Sequence, residues 1–366
     1  MPGLVPDLSP ELSPVFARFM DHRSPVDVSR LGGAVRPELW DALVSEVGAA
    51  GLLVEEEHGG QGATLVELAA AVSEAGRCGW SGPLVATAGV AVVLLGRVDP
   101  DDASGLRRGI AEDGRVVVAA LHEDDAGSSL DAATVVRVVD GRTTARGGKT
   151  FVDSGTHADV LLLPAVDADG RPVLARVDAA APGVVVEEMS AVDPGRGLAV
   201  VELRDAEVEV VAGGSDVPAA LHDAWLTGAL LVAVDALGAA GRAFALARDY
   251  SVQRQQFGRP VASFQSVKHK LVDMYAELQT ASAAIAAALE AAAEGSADWR
   301  FAASAAAARG GDATMAVLRE SVQVHGGIGF TWEHEVSHHF RRVTAERALY
   351  GTPARHRALV ATEVGF

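Results

Sequence analysis

The most informative stretch of the sequence is residues 250–265, which read YSVQRQQFGRPVASFQ. The residues before it have the apolar spacing of a helix, and Gly258 and Pro260 indicate where that helix ends. An Arg at a helix end, with amide donors around it, can bind a phosphate through a bidentate, charge-assisted hydrogen bond. Arg254 is therefore a candidate phosphate ligand. The alternative is that its guanidinium only satisfies carbonyl groups at the end of its own helix.

The chain around this stretch is helical from about Pro218 to its end and is rich in Ala, the strongest helix former. Residues 273–293 and 299–325 are long enough to form a helix bundle. Residues 323–330, QVHGGIGF, follow the second of these helices. Adjacent glycines let a backbone approach a ligand closely, although glycine also simply ends helices.

Upstream of these helices the apolar pattern changes twice. Residues 37–108 carry apolar side chains three and four apart, which indicates amphipathic helices, and Thr64 and Glu67 have the spacing of a capping box. From about residue 115 to 211, short β-branched runs alternate with Gly, Asp and Pro. They predict about seven antiparallel strands in a small barrel or sandwich, with a hairpin turn at 140–141.

The element order is therefore helical, then β, then helical, which predicts an α+β fold. No internal repeat of about 20–50 residues is visible. We expect three domains: a helical domain over residues 1–114, a β-barrel domain over 115–213 and a helical bundle over 214–366.

Charge and composition exclude several functions. Lys and Arg total 31 and Asp and Glu total 49, so the net charge of −18 disfavours binding to nucleic-acid phosphates or anionic lipid. The single cysteine, Cys78, excludes a disulfide framework within the chain and fits a reducing compartment. The longest uncharged window, residues 78–96, is broken at its start by Ser-Gly-Pro and is interpreted as a buried helix rather than a membrane span. With no targeting segment visible at the N-terminus, we expect a cytoplasmic protein with no nucleic-acid partner and no membrane.

Three histidines near the C-terminus, His334, His338 and His339, have a spacing that suits metal ligands. Only Glu335 lies between the first two as an acidic side chain, and no HExxH pattern is present. We therefore expect no metal site, and expect these imidazoles on an exposed face or hydrogen-bonded at a subunit contact. The sequence also contains no nucleophile elbow and no dinucleotide-binding glycine motif, and Cys78 is expected to be a core residue.

Together and in this order, these features resemble the acyl-CoA dehydrogenase family. The resemblance covers nearly the whole chain from about residue 37. The stretches that carry it are 51–62 (GLLVEEEHGGQG), 123–128 (EDDAGS), 148–152 (GKTFV) with Ala158-Asp159, 250–265, 271–274 (LVDM) and 323–329 (QVHGGIG). It implies a helical N-terminal domain, a β-barrel middle domain, a C-terminal four-helix bundle and an FAD cofactor that lies between subunits.

The resemblance also assigns roles to individual residues. Arg254 and Phe257 match residues that hold the pyrophosphate and adenine side of FAD across the subunit interface. Gln323, Gly326 and Gly327 match residues that pack on the same half of the cofactor. The implied chemistry is α,β-desaturation of an acyl thioester, in which a Glu removes the α-proton and flavin N5 takes the β-hydride.

The two positions of the family's catalytic Glu do not hold an acid here. One lies just before Gly351-Thr352 and is Tyr350, and the other, counted back from Arg254, is Gly228. Asp235 lies seven residues after Gly228, about 10 Å further along the helix axis, and is a weak candidate base. The alternative for Asp235 is a buried carboxylate with a structural partner.

The positions that usually bond the flavin ring also differ. His122 stands where the family has Thr or Ser, and Asp153 stands where a hydroxyl residue is common. A carboxylate beside the flavin would repel its reduced, anionic form. The positions that bind FAD across the interface thus hold the residues typical of the family. The positions that bond the flavin ring and abstract the proton do not.

This combination resembles the non-catalytic chain of heterotetrameric α2β2 acyl-CoA dehydrogenases, in which two homologous chains share each FAD and one supplies the base. We therefore expect a partner subunit of such an enzyme. Two alternatives stay open. The first is a self-sufficient homo-oligomeric flavoenzyme whose base is Asp235, Tyr350 or another group, and the second is a flavin-free scaffold or acyl-binding protein.

Residues 329–334, with Arg341-Arg342 and His356-Arg357, are similar to chains of that subgroup, many of which act on bulky CoA thioesters such as steroid side chains. The sequence does not indicate which acyl group is bound. It also does not indicate whether the thioester is formed with CoA or with a carrier protein. Because cations are few, we expect them to matter where they cluster, at Arg254 with Arg259 or at Arg341 with Arg342.

Overall fold

The computed structural model describes residues 9–23, 37–123 and 130–366, and within these ranges the chain forms ten α-helices and ten β-strands. The helices are α1 Ser13–Arg23, α2 Pro37–Ala42, α3 Leu65–Cys78, α4 Val92–Val98, α5 Leu106–Asp113, α6 Val217–Gln253, α7 Gln265–Ala293, α8 Trp299–His325, α9 Glu335–Glu346 and α10 Pro353–Glu363. The strands are β1 Val117–Ala119, β2 Val135–Val139, β3 Arg142–Val152, β4 Val160–Val166, β5 Pro172–Asp178, β6 Val184–Glu188, β7 Ala199–Glu207, β8 Glu209–Gly213, β9 Gln255–Gln256 and β10 Arg259–Pro260. The predicted order of helices, then strands, then helices is confirmed.

Strands β1 to β8 form one mixed sheet. Hydrogen-bonded neighbours follow the order β6-β7-β3-β2-β4-β5-β8. Strand β1 lies outside this order and pairs with β4. Most neighbours are antiparallel, but β1 and one end of β2 lie parallel to β4. The prediction of a purely antiparallel sheet is wrong at these two pairs, because neither strand is joined to β4 by a hairpin.

The predicted β-branched runs are confirmed as strands, and the observed strands extend most of them by a few residues. The turn at Asp140–Gly141 is confirmed too, since both residues have positive φ, 50° and 78°, and join β2 to β3. Strand β3 is the exception, because its sequence RTTARGGKTFV has charged residues, two adjacent glycines and no apolar alternation. Its place in the sheet comes from pairing with β2 and β7.

The described residues fall into two compact units. The sheet unit comprises those within residues 34–68 and 81–228, and the bundle unit comprises those within 1–33, 69–80 and 229–366. The three-domain division expected from the sequence stays a prediction.

In the bundle unit, α3 and α6 approach each other closely through glycines. A Cβ at Gly238 of α6 would come 2.1 Å from the carbonyl oxygen of Ser73, and a Cβ at Gly76 of α3 would come 2.1 Å from that of Asp235. Both positions require glycine, because a backbone atom lies where a side chain would begin. This contact fixes the part of α6 that carries Asp235.

Two features of the N-terminal half follow the sequence closely. The uncharged window 78–96 is largely buried, with α3 ending at Cys78 and the next helical segment beginning at Leu84. The capping box is confirmed, since the Thr64 N–H donates to Glu67 (2.9 Å) and the Val66 N–H donates to the Thr64 hydroxyl (3.2 Å). Helix α6 is long and apolar enough to cross a membrane, but 83% of its most apolar window is buried, as in the core helix of a folded protein.

Candidate functional site

Helix α6 ends at Gln253, and a tight hairpin of β9 and β10 follows it. The two turn residues, Phe257 and Gly258, have φ of 53° and 76°, the positive values that a type I′ turn requires. Phe257 is 92% exposed in this left-handed conformation, which costs a bulky residue about 1–2 kcal/mol. The hairpin thus holds an exposed aromatic ring next to the end of α6.

Arg254 lies between α6 and this hairpin. Its backbone N–H donates to the Tyr250 carbonyl (2.8 Å), and its side chain is exposed. In the part of the chain that the structure describes, no hydrogen bond or ion pair engages its guanidinium, so it does not satisfy the carbonyls of its own helix. Arg259 differs, because its guanidinium carbon lies 4.1 Å from the centre of the Phe264 ring. Arg254 is therefore the better placed of the two to bind an anion.

Gln323 lies in the last turn of helix α8, and Gly326 and Gly327 directly follow the helix. The Tyr250 and His325 rings, whose centroids are 4.8 Å apart, join the ends of α6 and α8. Gln323 is exposed, and Gly326 has φ 65° and ψ −142°, a conformation essentially restricted to glycine. A Cβ added at Gly326 or Gly327 would meet no atom within 4 Å, so this backbone faces open space. The five expected cofactor residues are thus all accessible at neighbouring helix ends.

The two expected base positions are buried and carry no carboxylate. Tyr350 is 5% exposed and has φ 55°, and Gly351 follows it with φ 100°. The Tyr350 carbonyl oxygen lies 3.0 Å from Nε2 of His356, so the backbone here is held by α10. Gly228 is buried within α6 and has no side chain.

Asp235 makes a buried ion pair. Its two oxygens accept from Nε and Nη2 of Arg342 at 2.8 and 2.6 Å, and both side chains are almost fully buried. The same guanidinium donates to the Trp80 carbonyl (2.8 Å) and lies 3.3 Å from Glu346. Because a cation engages both oxygens, the geometry favours the structural alternative for Asp235 over the catalytic one.

Arg341 and Arg342, expected to matter as a cluster of cations, do not act together. Arg342 is 0% exposed, because two carboxylates and a carbonyl surround its guanidinium. Arg341 instead lies over the Trp332 ring, with 3.9 Å between the guanidinium carbon and the ring centre. The two neighbouring cations therefore serve different local contacts.

In the sheet unit, both expected flavin-ring positions are buried. His122 is 4% exposed, and its carbonyl accepts from the Thr150 N–H (2.8 Å). Asp153 is also 4% exposed and lies 3.9 Å from the buried guanidinium of Arg196. The positive charge of Arg196 offsets the repulsion that Asp153 would exert on an anionic flavin. No local pattern pairs these two residues, since they lie in different segments of the sheet unit.

The motif at 123–128 is described only at Glu123, and residues 124–128 lie outside the described ranges. The buried Lys149 donates to Glu123, and so do the backbone N–H groups of Ala133 and Thr134. Burial opposes ionisation of Glu123, yet Lys149 and these donors hold its pKa below the usual range. Burial also lowers the pKa of Lys149. Glu123 is therefore a fixed anion inside the sheet unit rather than a base.

His338 and His339 are internal, so for these two histidines the expected place on an exposed face is wrong. His338 is buried with Nε2 3.1 Å from the Gly79 carbonyl, and buried His339 lies 3.2 Å from Glu335. His334 caps α9, since its Nδ1 accepts from the Val336 N–H (3.2 Å). Across residues 9–23, 37–123 and 130–366, no group of three metal-ligating side chains is assembled.

Cys78 is a core residue, as expected. Its side chain is 1% exposed, and burial raises the pKa of the thiol to about 12. A protonated, inaccessible thiol is a poor nucleophile and a poor metal ligand. Cys78 therefore has no part in the site.

Two models of one protein family match this chain, the acyl-CoA dehydrogenase N-terminal domain over residues 14–97 and the C-terminal domain over residues 224–365. Acyl-CoA dehydrogenase IpdE2 of Mycolicibacterium smegmatis is 31% identical to it over 90% of this chain and 88% of that protein. The chain belongs to the acyl-CoA dehydrogenase family.

Solved structures of acyl-CoA dehydrogenases share the fold. A single-residue variant of the Tcur3481-Tcur3483 steroid ACAD superimposes with a TM-score of 0.85 at 25% identity, over 97% of this chain and 96% of that one. A chain of the ChsE4-ChsE5 complex from Mycobacterium tuberculosis has a TM-score of 0.86 at 23% identity, over 98% and 97%. The predicted fold class is confirmed.

An acyl-CoA dehydrogenase is expected to hold FAD, and the two halves of this chain fit it unequally. The ends of α6 and α8 fit the adenine side, because they offer a guanidinium at Arg254 that no described residue engages, an exposed ring at Phe257 and open glycine backbone at 326–327. In the sheet unit, both positions expected at the flavin ring are buried, and Asp153 is paired with Arg196.

Proposed function

We propose that this chain is the partner subunit of a heteromeric, FAD-dependent acyl-CoA dehydrogenase. It completes the FAD site of a homologous catalytic subunit and does not itself supply the catalytic Glu. One contrast carries the proposal. The residues for the adenine side are exposed, and no described residue engages the Arg254 guanidinium, whereas both base positions, Tyr350 and Gly228, hold no acid and the nearby Asp235 is neutralised by Arg342.

In this proposal each exposed residue has a defined task. Arg254 binds the FAD pyrophosphate, because its planar guanidinium matches two phosphate oxygens at once. Phe257 packs on the adenine side, and Gln323 with the backbone at Gly326 and Gly327 surrounds the same half of the cofactor. Bound FAD supplies the hydride acceptor for α,β-desaturation of the acyl thioester. The base comes from the sister chain.

The partner and the substrate are inferred from relatives. The Tcur3481-Tcur3483 steroid ACAD is a steroid acyl-CoA dehydrogenase named for two components, and this chain is 25% identical to one of its chains along nearly its whole length. We therefore infer a homologous acyl-CoA dehydrogenase chain as the partner and a bulky acyl-CoA thioester, such as a steroid-derived one, as the substrate. We also infer a cytoplasmic enzyme that uses neither a nucleic-acid nor a membrane partner.

The test is to co-express this chain with a homologue that retains the Glu before Gly-Thr. FAD content and acyl-CoA oxidation are then measured for the complex and for each chain alone. In the complex, Arg254→Ala should weaken FAD binding about 10- to 100-fold, because it removes charge-assisted hydrogen bonds. The matched control is Arg137→Ala, which alters an exposed Arg on β2 that makes no ion pair with the described residues and should leave FAD binding unchanged.

Two outcomes contradict the partner-subunit role, and a third contradicts the role of Arg254. Full FAD occupancy and turnover by the lone chain would identify a self-sufficient flavoenzyme. A complex that forms yet takes up no FAD would favour the flavin-free scaffold. Equal FAD binding by the Arg254 and Arg137 variants would remove the role proposed for Arg254.

A further inference from the structure

Three aromatic rings form a tilted stack in the bundle unit next to the proposed FAD residues, with interplanar angles of 34° and 55° between neighbours. The centroids of Tyr250 and His325 are 4.8 Å apart, and those of His325 and His334 are 4.4 Å apart. Each ring comes from a different segment, namely the last turns of α6, the last residue of α8 and the residue that caps α9. The His325 ring lies in the middle and contacts both others.

We propose that His325 is a positioning residue for the adenine side of FAD, an inference that rests on the proposed function. Its ring contacts hold the end of α6, which carries Arg254, against the turn that carries Gln323, Gly326 and Gly327. The chain geometry supports this link at both ends. Tyr250 accepts the backbone hydrogen bond of Arg254 (2.8 Å), and His325 directly precedes Gly326.

The hydrogen bonds of His325 indicate that it acts through its ring contacts rather than through its nitrogens. Its Nδ1 lies 2.7 Å from the Ser321 carbonyl of its own helix, and its Nε2 has no hydrogen-bond partner among the described residues. The ring is 3% exposed, and burial lowers its pKa, which keeps it uncharged at neutral pH. Because neither ring nitrogen bonds to another described segment, a phenyl ring of similar shape should do the same work.

The third ring extends the stack to α9. His334 accepts the Val336 N–H at its Nδ1 (3.2 Å), and this cap fixes the plane of the imidazole. His325 is therefore held between a ring on α6 and a ring that is itself anchored by a hydrogen bond. Removing the middle ring separates both contacts at once, whereas removing Tyr250 separates only one.

The test uses the FAD-loaded complex with the catalytic homologue and measures the rate of FAD release from the rise in flavin fluorescence after dilution. His325→Ala should release FAD about ten-fold faster, the size expected for two lost aromatic contacts. His325→Phe should release FAD at close to the wild-type rate. Leu278→Ala, which removes a fully buried side chain from α7, serves as the control for a general loss of stability and should leave the release rate unchanged.

The outcomes separate this inference from the proposed function. If His325→Ala keeps the wild-type rate while Arg254→Ala loses FAD, the positioning role falls and the proposed function stands. If His325→Phe releases FAD as fast as His325→Ala, the bond to Ser321 rather than the ring is responsible, and the inference falls. If His325→Ala does not assemble, Tyr250→Leu tests the same stack from α6, and an unchanged release rate there overturns it. If Arg254→Ala also keeps its FAD, it is the proposed site itself that fails.

Discussion

At the scale of single residues, the environment of Asp235 decides between two chemistries. A carboxylate is a weak base when a buried cation stabilises its charged form, and both oxygens of Asp235, which is 2% exposed, accept from Arg342. Glu346 lies 3.3 Å from the same guanidinium, so two carboxylates share one buried cation in the bundle unit. Such a pair adds little net stability, but removing one partner leaves an imperfectly compensated charge.

Asp235→Asn should therefore lower the free energy of unfolding by about 3 kcal/mol, the lower end for breaking a buried pair, because Glu346 still faces Arg342. Urea unfolding of the purified protein measures this. The matched control is Glu207→Gln, which removes an exposed pair with Arg142 and should cost less than about 1 kcal/mol. Turnover per folded complex should stay at the wild-type value for Asp235→Asn, as it should for Tyr350→Phe. Lost turnover with intact stability would instead identify Asp235 as the base.

Glu335 predicts a pH dependence of stability. Burial opposes its ionisation, but His339 and the two hydrogen bonds from Arg242 (2.6 and 2.9 Å) lower its pKa from about 4.5 to about 2. A lowered pKa means that the stabilisation is complete above pH 4.5 and is lost as the pH falls towards 2. The difference in unfolding free energy between wild type and Glu335→Gln should be constant from about pH 7 to 5 and shrink below that. A difference that does not change with pH would show that the charge of Glu335 contributes nothing.

At the scale of elements, local patterns predict what local forces determine. The end of α6 and the hairpin after it lie within residues 250–265, so turn residues and helix spacing are enough to place them. Strand β3 has no such pattern, because two long ladders with β2 and β7, rather than its own side chains, make it a strand. The glycine contact between α3 and α6 is equally invisible in sequence, since each glycine alone resembles a weak helix position.

That helix contact gives a prediction with an internal control. Gly238→Ala should lower the free energy of unfolding by about 1–3 kcal/mol or more, because its Cβ would lie 2.1 Å from the Ser73 carbonyl. Gly96→Ala, in α4, has only an Arg107 nitrogen at 3.8 Å from the new Cβ and should be neutral or up to about 1 kcal/mol more stable. Thermal unfolding of both variants measures the difference. Equal stability of the two variants would refute the close approach of α3 and α6.

At the scale of the whole molecule, the fold and the helix ends that carry Arg254 and Gly326 could be predicted, whereas the charge partners could not. The motifs around Arg254 and Gly326 are contiguous, so the sequence displays them directly. Asp153 with Arg196 and Asp235 with Arg342 are pairs between distant segments, and complementary charge leaves no local trace. Each pair turns an apparent acid into half of an ion pair, which changes the chemistry expected of Asp153 and of Asp235.

In the proposed complex, this chain contributes only the adenine-side half of an FAD site. A site made from its α6 and α8 ends and the flavin cradle of the sister chain should bind FAD. The reciprocal site would have to use the buried His122 and Asp153 and should stay without FAD. Flavin absorbance of the purified complex, combined with native mass spectrometry, counts FAD per chain. We predict one FAD for each pair of chains and none on this chain alone, whereas one FAD on every chain would contradict a half-site.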